Sequence, residues 1–221
     1  QPGWPAITAA DLYVLVRDDG VAININRAKL LQSDIPSGWV YLPPGERTLQ
    51  VETLLQGPVS GLDHILKQTP LAQLLGSPVQ EWTLDRGQAK TRLSLGIPLA
   101  DDMTPAVDVT VVLDQARLRR QALNVSAISG ELNYQHGTGL SADKLQGMFL
   151  GQPVQASIDT QEQRYRVQLQ GQSDMVQLRQ WLQLPILEAS AGLAQWQAQL
   201  ELCGEARCPA LSVRSDLQGV V

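Results

Sequence analysis

The chain has 221 residues, of which 43% are hydrophobic and 18% charged, and its formal net charge is −5. This composition is typical of a folded protein of one large or two small domains, and it excludes a disordered chain. The acidic balance, with no basic cluster beyond Arg117, Arg119 and Arg120, excludes a typical nucleic-acid-binding protein. No segment reaches the roughly 18 to 20 apolar residues that a membrane-spanning helix needs.

Most apolar segments alternate with a period of two residues, the pattern of strands with one apolar and one polar face. Leu93 and Leu95, for example, alternate with Arg92 and Ser94. The fold is therefore predicted to be mainly β, an elongated antiparallel sheet. In chain order, strands are predicted near residues 11–17, 21–27, 37–42, 47–55, 92–97, 107–114, 122–135, 154–159, 165–170, 194–202 and 210–217.

Two segments have helical spacing instead. Apolar residues recur every three or four positions in 59–68, before Pro70, and again in 174–183, before Pro185. Asp174 stands at the position of an N-cap. We expect a short amphipathic helix in each segment.

The sequences that flank the two predicted helices resemble each other. Leu55-Gln56-Gly57 leads into the first helix and Leu169-Gln170-Gly171 into the second, and Trp82 and Trp196 follow them at the same offset. We interpret the chain as two tandem units, 6–98 and 124–217, joined by a connecting strand region at 99–123. Such units can stack into one sheet, because each covers an edge strand of its neighbour. The alternative is chance similarity between segments rich in Gly and Leu.

The two cysteines, Cys203 and Cys208, are separated by four residues that include a glycine. A disulfide is the favoured interpretation, and two free buried thiols are the alternative. A zinc site is disfavoured because neither His64 nor His136 lies near the cysteines in the sequence. A disulfide would favour an extracytoplasmic compartment.

No residue pattern indicates catalysis, a cofactor or a metal. Asp63 and His64 are adjacent, but neighbours on a helix point about 100° apart, so surface polar residues are expected. His136 falls in a predicted hairpin loop, and the acidic pairs at 18–19 and 101–102 suit turns better than calcium loops. A carbohydrate-active enzyme would need paired carboxylates and exposed aromatic residues, and only 5% of the residues are aromatic. We expect a protein that is not an enzyme.

Several motifs occur in an order that resembles a known family. They are Ile128 to Tyr134, Gly139 to Leu145, Gly151 to Val154, Leu169 to Gly171, Trp181-Leu182 with Pro185, Gly192 with Trp196, and Val213 to Gly219, preceded by Gly61 to Leu75. In sequence and order these motifs resemble the YhdP family of AsmA-like envelope proteins of Gram-negative bacteria. The resemblance covers most of the chain. The cysteine pair is not part of it.

The resemblance implies a curled β-sheet that encloses a hydrophobic groove. It also implies a periplasmic segment of a much longer protein, anchored in the inner membrane by a helix outside this sequence, that supports phospholipid movement toward the outer membrane. The sequence begins at Gln1 without an initiator Met and ends at Val221 within an apolar run, which we interpret as an excerpt. The expected partners are phospholipid acyl chains, adjoining repeats of the full-length protein, and membranes through segments outside this sequence.

An apolar groove could hold acyl chains without a catalytic residue, because alternate residues of successive strands point to the same side. Each buried methylene contributes about 0.8 kcal/mol, and a wall of aliphatic side chains has no specific anchor that would stop a lipid from sliding. The alternatives are a closed core with the same alternation, and a structural spacer or interaction module. The residues predicted to line the groove are Val14, Ile23, Ile25, Val51, Leu93, Leu95, Val109, Val111, Val125, Leu132, Tyr134, Val154, Ile158, Val167, Leu169 and Leu200.

Overall fold

The computed structural model describes residues 5–17, 20–68, 81–100, 105–161, 164–183, 190–203, 210–216 and 220. These residues form an open antiparallel sheet of 13 strands and two short helices. Neither helix combines the length and the apolar character that crossing a bilayer requires. The prediction of a mainly β chain built as an antiparallel sheet is confirmed.

The strands of the sheet are long and are joined mainly by short turns. They are β1 (Ile7–Arg17), β2 (Gly20–Leu30), β3 (Ser33–Leu42), β4 (Thr48–Pro58), β5 (Thr83–Asp85), β6 (Gln88–Pro98), β7 (Ala106–Arg120), β8 (Leu123–Gln135), β9 (Gly139–Phe149), β10 (Gln152–Gln161), β11 (Arg164–Asp174), β12 (Leu193–Cys203) and β13 (Ala210–Ser215). The helices are α1 (Val59–Gln68) and α2 (Met175–Leu182).

The sheet is a meander in which nearly every strand pairs with its neighbours in the sequence. The order is β1-β2-β3-β4-β6-β7-β8-β9-β10-β11-β12-β13. The exception is β5, which pairs with the C-terminal part of β7, beyond the part that pairs with β6. One unbroken sheet therefore runs from β1 to β13, and these two strands are its edges.

The strand register places apolar residues on one face of the whole sheet, because paired residues point to the same side. One row across the N-terminal half consists of Val14, Ile23, Val40, Val51, Leu95 and Val107. A row across the C-terminal half consists of Ile158, Val167, Leu200 and Leu211. We call this the apolar face, and the opposite one the polar face.

Both helices lie against the apolar face, at the same ends of the strands. The Ser60 hydroxyl of α1 is 3.2 Å from the Gln32 side-chain oxygen, in the β2–β3 turn, and the Trp181 indole of α2 donates to the Ala122 carbonyl, in the β7–β8 turn. We call this border of the sheet the helix rim and the opposite border the open rim. The expected helices are confirmed, including the Asp174 N-cap, whose carboxylate accepts hydrogen bonds from two backbone N–H groups.

The sheet curls so that the apolar face is on the inside. Ile25 and Ile35 of β2 and β3 belong to the same packed cluster as Leu95 and Val107 of β6 and β7, and Tyr134 of β8 packs against it. Ile65 of α1 belongs to the same cluster, so the helix covers part of this inner surface. The curl therefore forms a trough, which α1 and α2 border on one side.

Several strands are longer than predicted, and β5 and β9 were not predicted at all. The apolar alternation skips one residue between Ala142 and Leu145 in β9 and between Leu113 and Ala116 in β7, where the register shifts. Each shift is a β-bulge, which adds a residue and reverses the order of inward and outward side chains. The apolar alternation in the sequence therefore breaks at each bulge, although the strand continues beyond it.

Candidate functional site: the apolar trough

The trough brings together all of the residues predicted to point inward. The register places each of them on the apolar face, from Val14 in β1 to Leu200 in β12. The rows run across strands, so a continuous aliphatic surface extends along the sheet.

Exposure of the apolar face increases toward the edges of the sheet. Ile25 and Leu95 are buried, whereas Val14 on β1 is 47% exposed and Leu211 on β13 is 65% exposed. The interior strands are paired on both sides, whereas the edge strands β1 and β13 have a partner on only one side. The trough is thus closed by packing in places and unsealed at both edges.

Helix α1 fills the trough at the helix rim as an ordinary core. Val59 and Ala116 are fully buried there, in a cluster with Leu62, Ala89 and Leu113. The Val59 N–H donates to the Gly87 carbonyl, which fixes the start of the helix beside β6. The closed-core alternative therefore describes this local region.

Helix α2 covers the same rim further along the sheet with aromatic rings. Phe149 meets Trp181 edge to face with a centroid distance of 5.3 Å, and meets Trp196 with a distance of 6.4 Å. The Trp196 indole donates to the hydroxyl of buried Ser173 at 2.9 Å. Each indole N–H has a partner, so both tryptophans contribute apolar surface without an unsatisfied donor.

The open rim lacks such a cover among the described residues and carries two tyrosines on its inner side. Tyr134 and Tyr165 lie one position in from the strand ends at this rim. Burial raises the pKa of the Tyr165 phenol, and the nearby Tyr134 raises it further. The open rim is therefore where the apolar lining meets water.

The polar face of β10 to β12 is rich in glutamine, a feature that the sequence analysis missed. Gln155 pairs with Gln170, which pairs with Gln197, and Gln168 pairs with Gln199. The Gln170 amide donates to the Gln155 side chain at 3.1 Å, and the residues line a depression of about 430 Å³. Gln at every second position of the predicted strands was the available signal. These neutral amides keep the outer side hydrated.

The basic cluster of β7 pairs with acidic residues around β5. Asp85 accepts two hydrogen bonds from the Arg117 guanidinium, at 2.5 and 2.9 Å, and forms an ion pair with Arg119. The Arg117 hydrogen bond holds the pKa of Asp85 below its ordinary value, and it raises the pKa of Arg117. Arg120 pairs with Glu81 and stacks over Trp82. These contacts attach β5 to the sheet.

Asp63 has a structural role that was predicted wrongly. Its carboxylate accepts a hydrogen bond from the Leu84 N–H at 3.0 Å and pairs with Lys67 at 2.8 Å, largely shielded from solvent. The prediction of a surface residue failed because β5 folds back beside α1, which the sequence spacing does not reveal. His64 and His136 are exposed, as predicted.

The remaining candidates give no second site within the described ranges. No group of three or more His, Cys, Asp or Glu residues is placed there to hold a metal ion. Cys203 ends β12, but Cys208 and the acidic pairs at 18–19 and 101–102 lie outside the described residues. The disulfide stays a prediction.

Comparison with known proteins gives a family and a relative. The model of the YhdP protein family matches residues 1–221. The chain is also 27% identical to the intermembrane phospholipid transporter YhdP of Escherichia coli (strain K12), in an alignment that covers 73% of this chain and 13% of that protein. No solved structure matches.

Proposed function

Because the chain belongs to the YhdP family, we propose that it is a segment of a phospholipid-transport protein and that its apolar face holds acyl chains. The observation that carries this proposal is the mainly aliphatic surface on the inner side of the curled sheet, from Val14 to Leu211. In an ordinary globular domain, the apolar side chains of the edge strands are covered by other parts of the protein. Here the apolar side chains at both edges stay exposed.

The trough provides a path for an acyl chain through its shape and its chemistry. Val, Leu and Ile side chains contribute transfer free energy, about 0.8 kcal/mol per methylene, at every position along the trough. Neighbouring strands present similar aliphatic side chains along the trough, so displacement of an acyl chain by one strand costs little. The head group stays in water at the open rim. The proposed role breaks no covalent bond of the lipid and needs no cofactor.

The exposed edges support a further part of the proposal, that adjoining segments of the full-length protein continue the sheet. The relative named above is far longer than the part that matches this chain. Edge strands with unpaired backbone groups and exposed apolar side chains are templates for another strand. We propose that the full-length protein is anchored in the inner membrane, lies in the periplasm and leads lipid toward the outer membrane.

The tandem units, 6–98 and 124–217 with 99–123 between them, belong to the same proposal. Helix α1 lies between the paired strands β4 and β6, and α2 lies between the paired strands β11 and β12. A similar strand–helix–strand arrangement thus supports two copies of one unit.

A structural spacer is the second candidate, and the fully buried cluster around Val59 and Ala116 favours it. A spacer would need the sheet and the helices but no lipid. The two functions differ in what contacts the inner side chains when lipid is present.

Site-specific photo-crosslinking in cells tests the proposal with matched neighbouring positions on each of two strands, β11 and β12. A photoreactive residue at Val167 or Leu200, on the apolar face, should form a crosslink with phospholipid. The same residue at Gln168 or Gln199, on the polar face, should not. Equal crosslinking at all four positions, or no crosslinking at 167 and 200, would contradict lipid conduction and favour the spacer.

A further inference from the structure

The four tyrosines of the chain divide between the two faces of the sheet. Tyr13 and Tyr41 lie on the polar face, paired with Asn24 and Ala22. Tyr134 and Tyr165 lie on the apolar face, where a hydroxyl is out of place unless it contacts something polar.

Tyr134 and Tyr165 belong to one row along the open rim. Tyr134 pairs with Leu140 of β9, and Tyr165 pairs with Thr160 of β10, whose hydroxyl accepts from the Leu140 N–H at 2.9 Å and donates to the Leu140 carbonyl at 2.7 Å. The Thr160 hydroxyl is thus already engaged. The two phenols are near enough to each other for Tyr134 to raise the pKa of Tyr165.

The two phenol hydroxyls have no hydrogen-bond partner within the described part of the chain, unlike the indoles of Trp181 and Trp196 at the helix rim. Each hydroxyl can donate one hydrogen bond. Both therefore provide donors at the border between the aliphatic lining and water.

Accepting the proposed function, we propose that Tyr134 and Tyr165 bind the ester carbonyl oxygens of a glycerophospholipid whose acyl chains lie in the trough. These carbonyls join the apolar tails to the head group, so a lipid with its tails inside presents them at this border. A neutral phenol suits a neutral carbonyl. The intervening row members, Leu140 and Thr160, add no cation that would favour a phosphate instead.

Competition between ester and ether lipids tests this assignment on the whole chain. A fluorescent phospholipid is bound to the protein and displaced either by diacyl phosphatidylethanolamine or by its dialkyl ether analogue of equal chain length, which lacks the carbonyls. Wild type should prefer the diacyl lipid by about fivefold or more, the effect of one hydrogen bond. Tyr134→Phe/Tyr165→Phe should bind both lipids equally and still fold, because the rings remain.

The matched control is Tyr13→Phe/Tyr41→Phe, which removes two hydroxyls from the polar face and should keep the wild-type preference. The assignment is overturned if wild type binds both lipids alike, or if the Tyr134→Phe/Tyr165→Phe variant keeps the preference. Neither result argues against acyl-chain binding in the trough. A wild type that binds neither lipid overturns the proposed function together with the assignment.

Discussion

Val109 and Val112 lie three residues apart on β7 and face opposite sides of the sheet. Val109 pairs with Leu93 and Tyr134 on the apolar face, whereas Val112 pairs with Lys90 and Glu131 on the polar face. The same substitution at these two positions therefore changes one face at a time.

Val109→Asp should abolish lipid crosslinking and destabilise the fold by roughly 2–4 kcal/mol, because it places a carboxylate in the aliphatic lining. Val112, which is 41% exposed, is the matched control, and Val112→Asp should cost less than about 0.5 kcal/mol and keep crosslinking. Urea denaturation and crosslinking at Val167 provide the two measurements. Normal crosslinking by a folded Val109→Asp protein would contradict the continuous trough.

Asp174→Ala should destabilise α2, because the carboxylate accepts hydrogen bonds from the Val176 and Gln177 N–H groups at 2.8 and 3.3 Å. Loss of an N-cap of this kind costs about 1 kcal/mol. Hydrogen exchange should show faster opening at Val176 and Gln177. Asp159→Ala, on the polar face of β10, provides the control and should leave exchange in α2 unchanged.

Val59→Ala should destabilise the chain by about 2 kcal/mol, because it removes two methyl groups from a fully buried site in the first turn of α1. Val176, in the first turn of α2, is 37% exposed, and Val176→Ala should cost less than about 0.5 kcal/mol. Urea denaturation measures the free energies of unfolding of the two variants, which should differ by more than about 1 kcal/mol. Similar losses for both variants would mean that α1 does not seal the helix rim.

Asp85→Asn should lower the melting temperature at neutral pH and reduce its dependence on pH in the acid range. The folded pKa of Asp85 lies below the ordinary value of 3.8, so the Asp85 carboxylate stabilises the fold above that value. This contribution is lost as the pH falls through the folded pKa. The melting temperatures of wild type and variant should therefore converge in acid.

Asp34→Asn is the control for this titration, because the ion pair of Asp34 with Lys29 is exposed. Screening by water makes exposed pairs weak, so the variant should follow the wild-type profile. If the melting temperatures of wild type and Asp85→Asn differ by the same amount at every pH, the Asp85 carboxylate does not attach β5 to the sheet.

Within a strand that has no bulge, the face that a side chain occupies could be predicted from the sequence alone. Val167 and Leu200 were assigned inward from alternation, and the register pairs them on the apolar face. Alternation succeeds because strand side chains have a strict period of two. It gives no information about what lies opposite, so neither the core under α1 nor the open rim could be distinguished from it.

Two classes of feature could not be predicted, for separate reasons. Bulges, as between Ala142 and Leu145, interrupt the alternation and conceal the continuation of a strand. Contacts between distant segments, such as Asp63 with Leu84 and Asp85 with Arg117, depend on how β5 returns to the sheet. Local spacing contains no signal for either contact.

The meander has a consequence for how the chain acquires its structure. Nearly every strand pairs with the strand before it, so few contacts must wait for a distant part of the chain to arrive. Contacts that are close in sequence lose little entropy on closure and form quickly. The sheet can therefore grow one hairpin at a time from β1, with each new strand adding to a template already in place, as in repeat proteins that assemble by propagation.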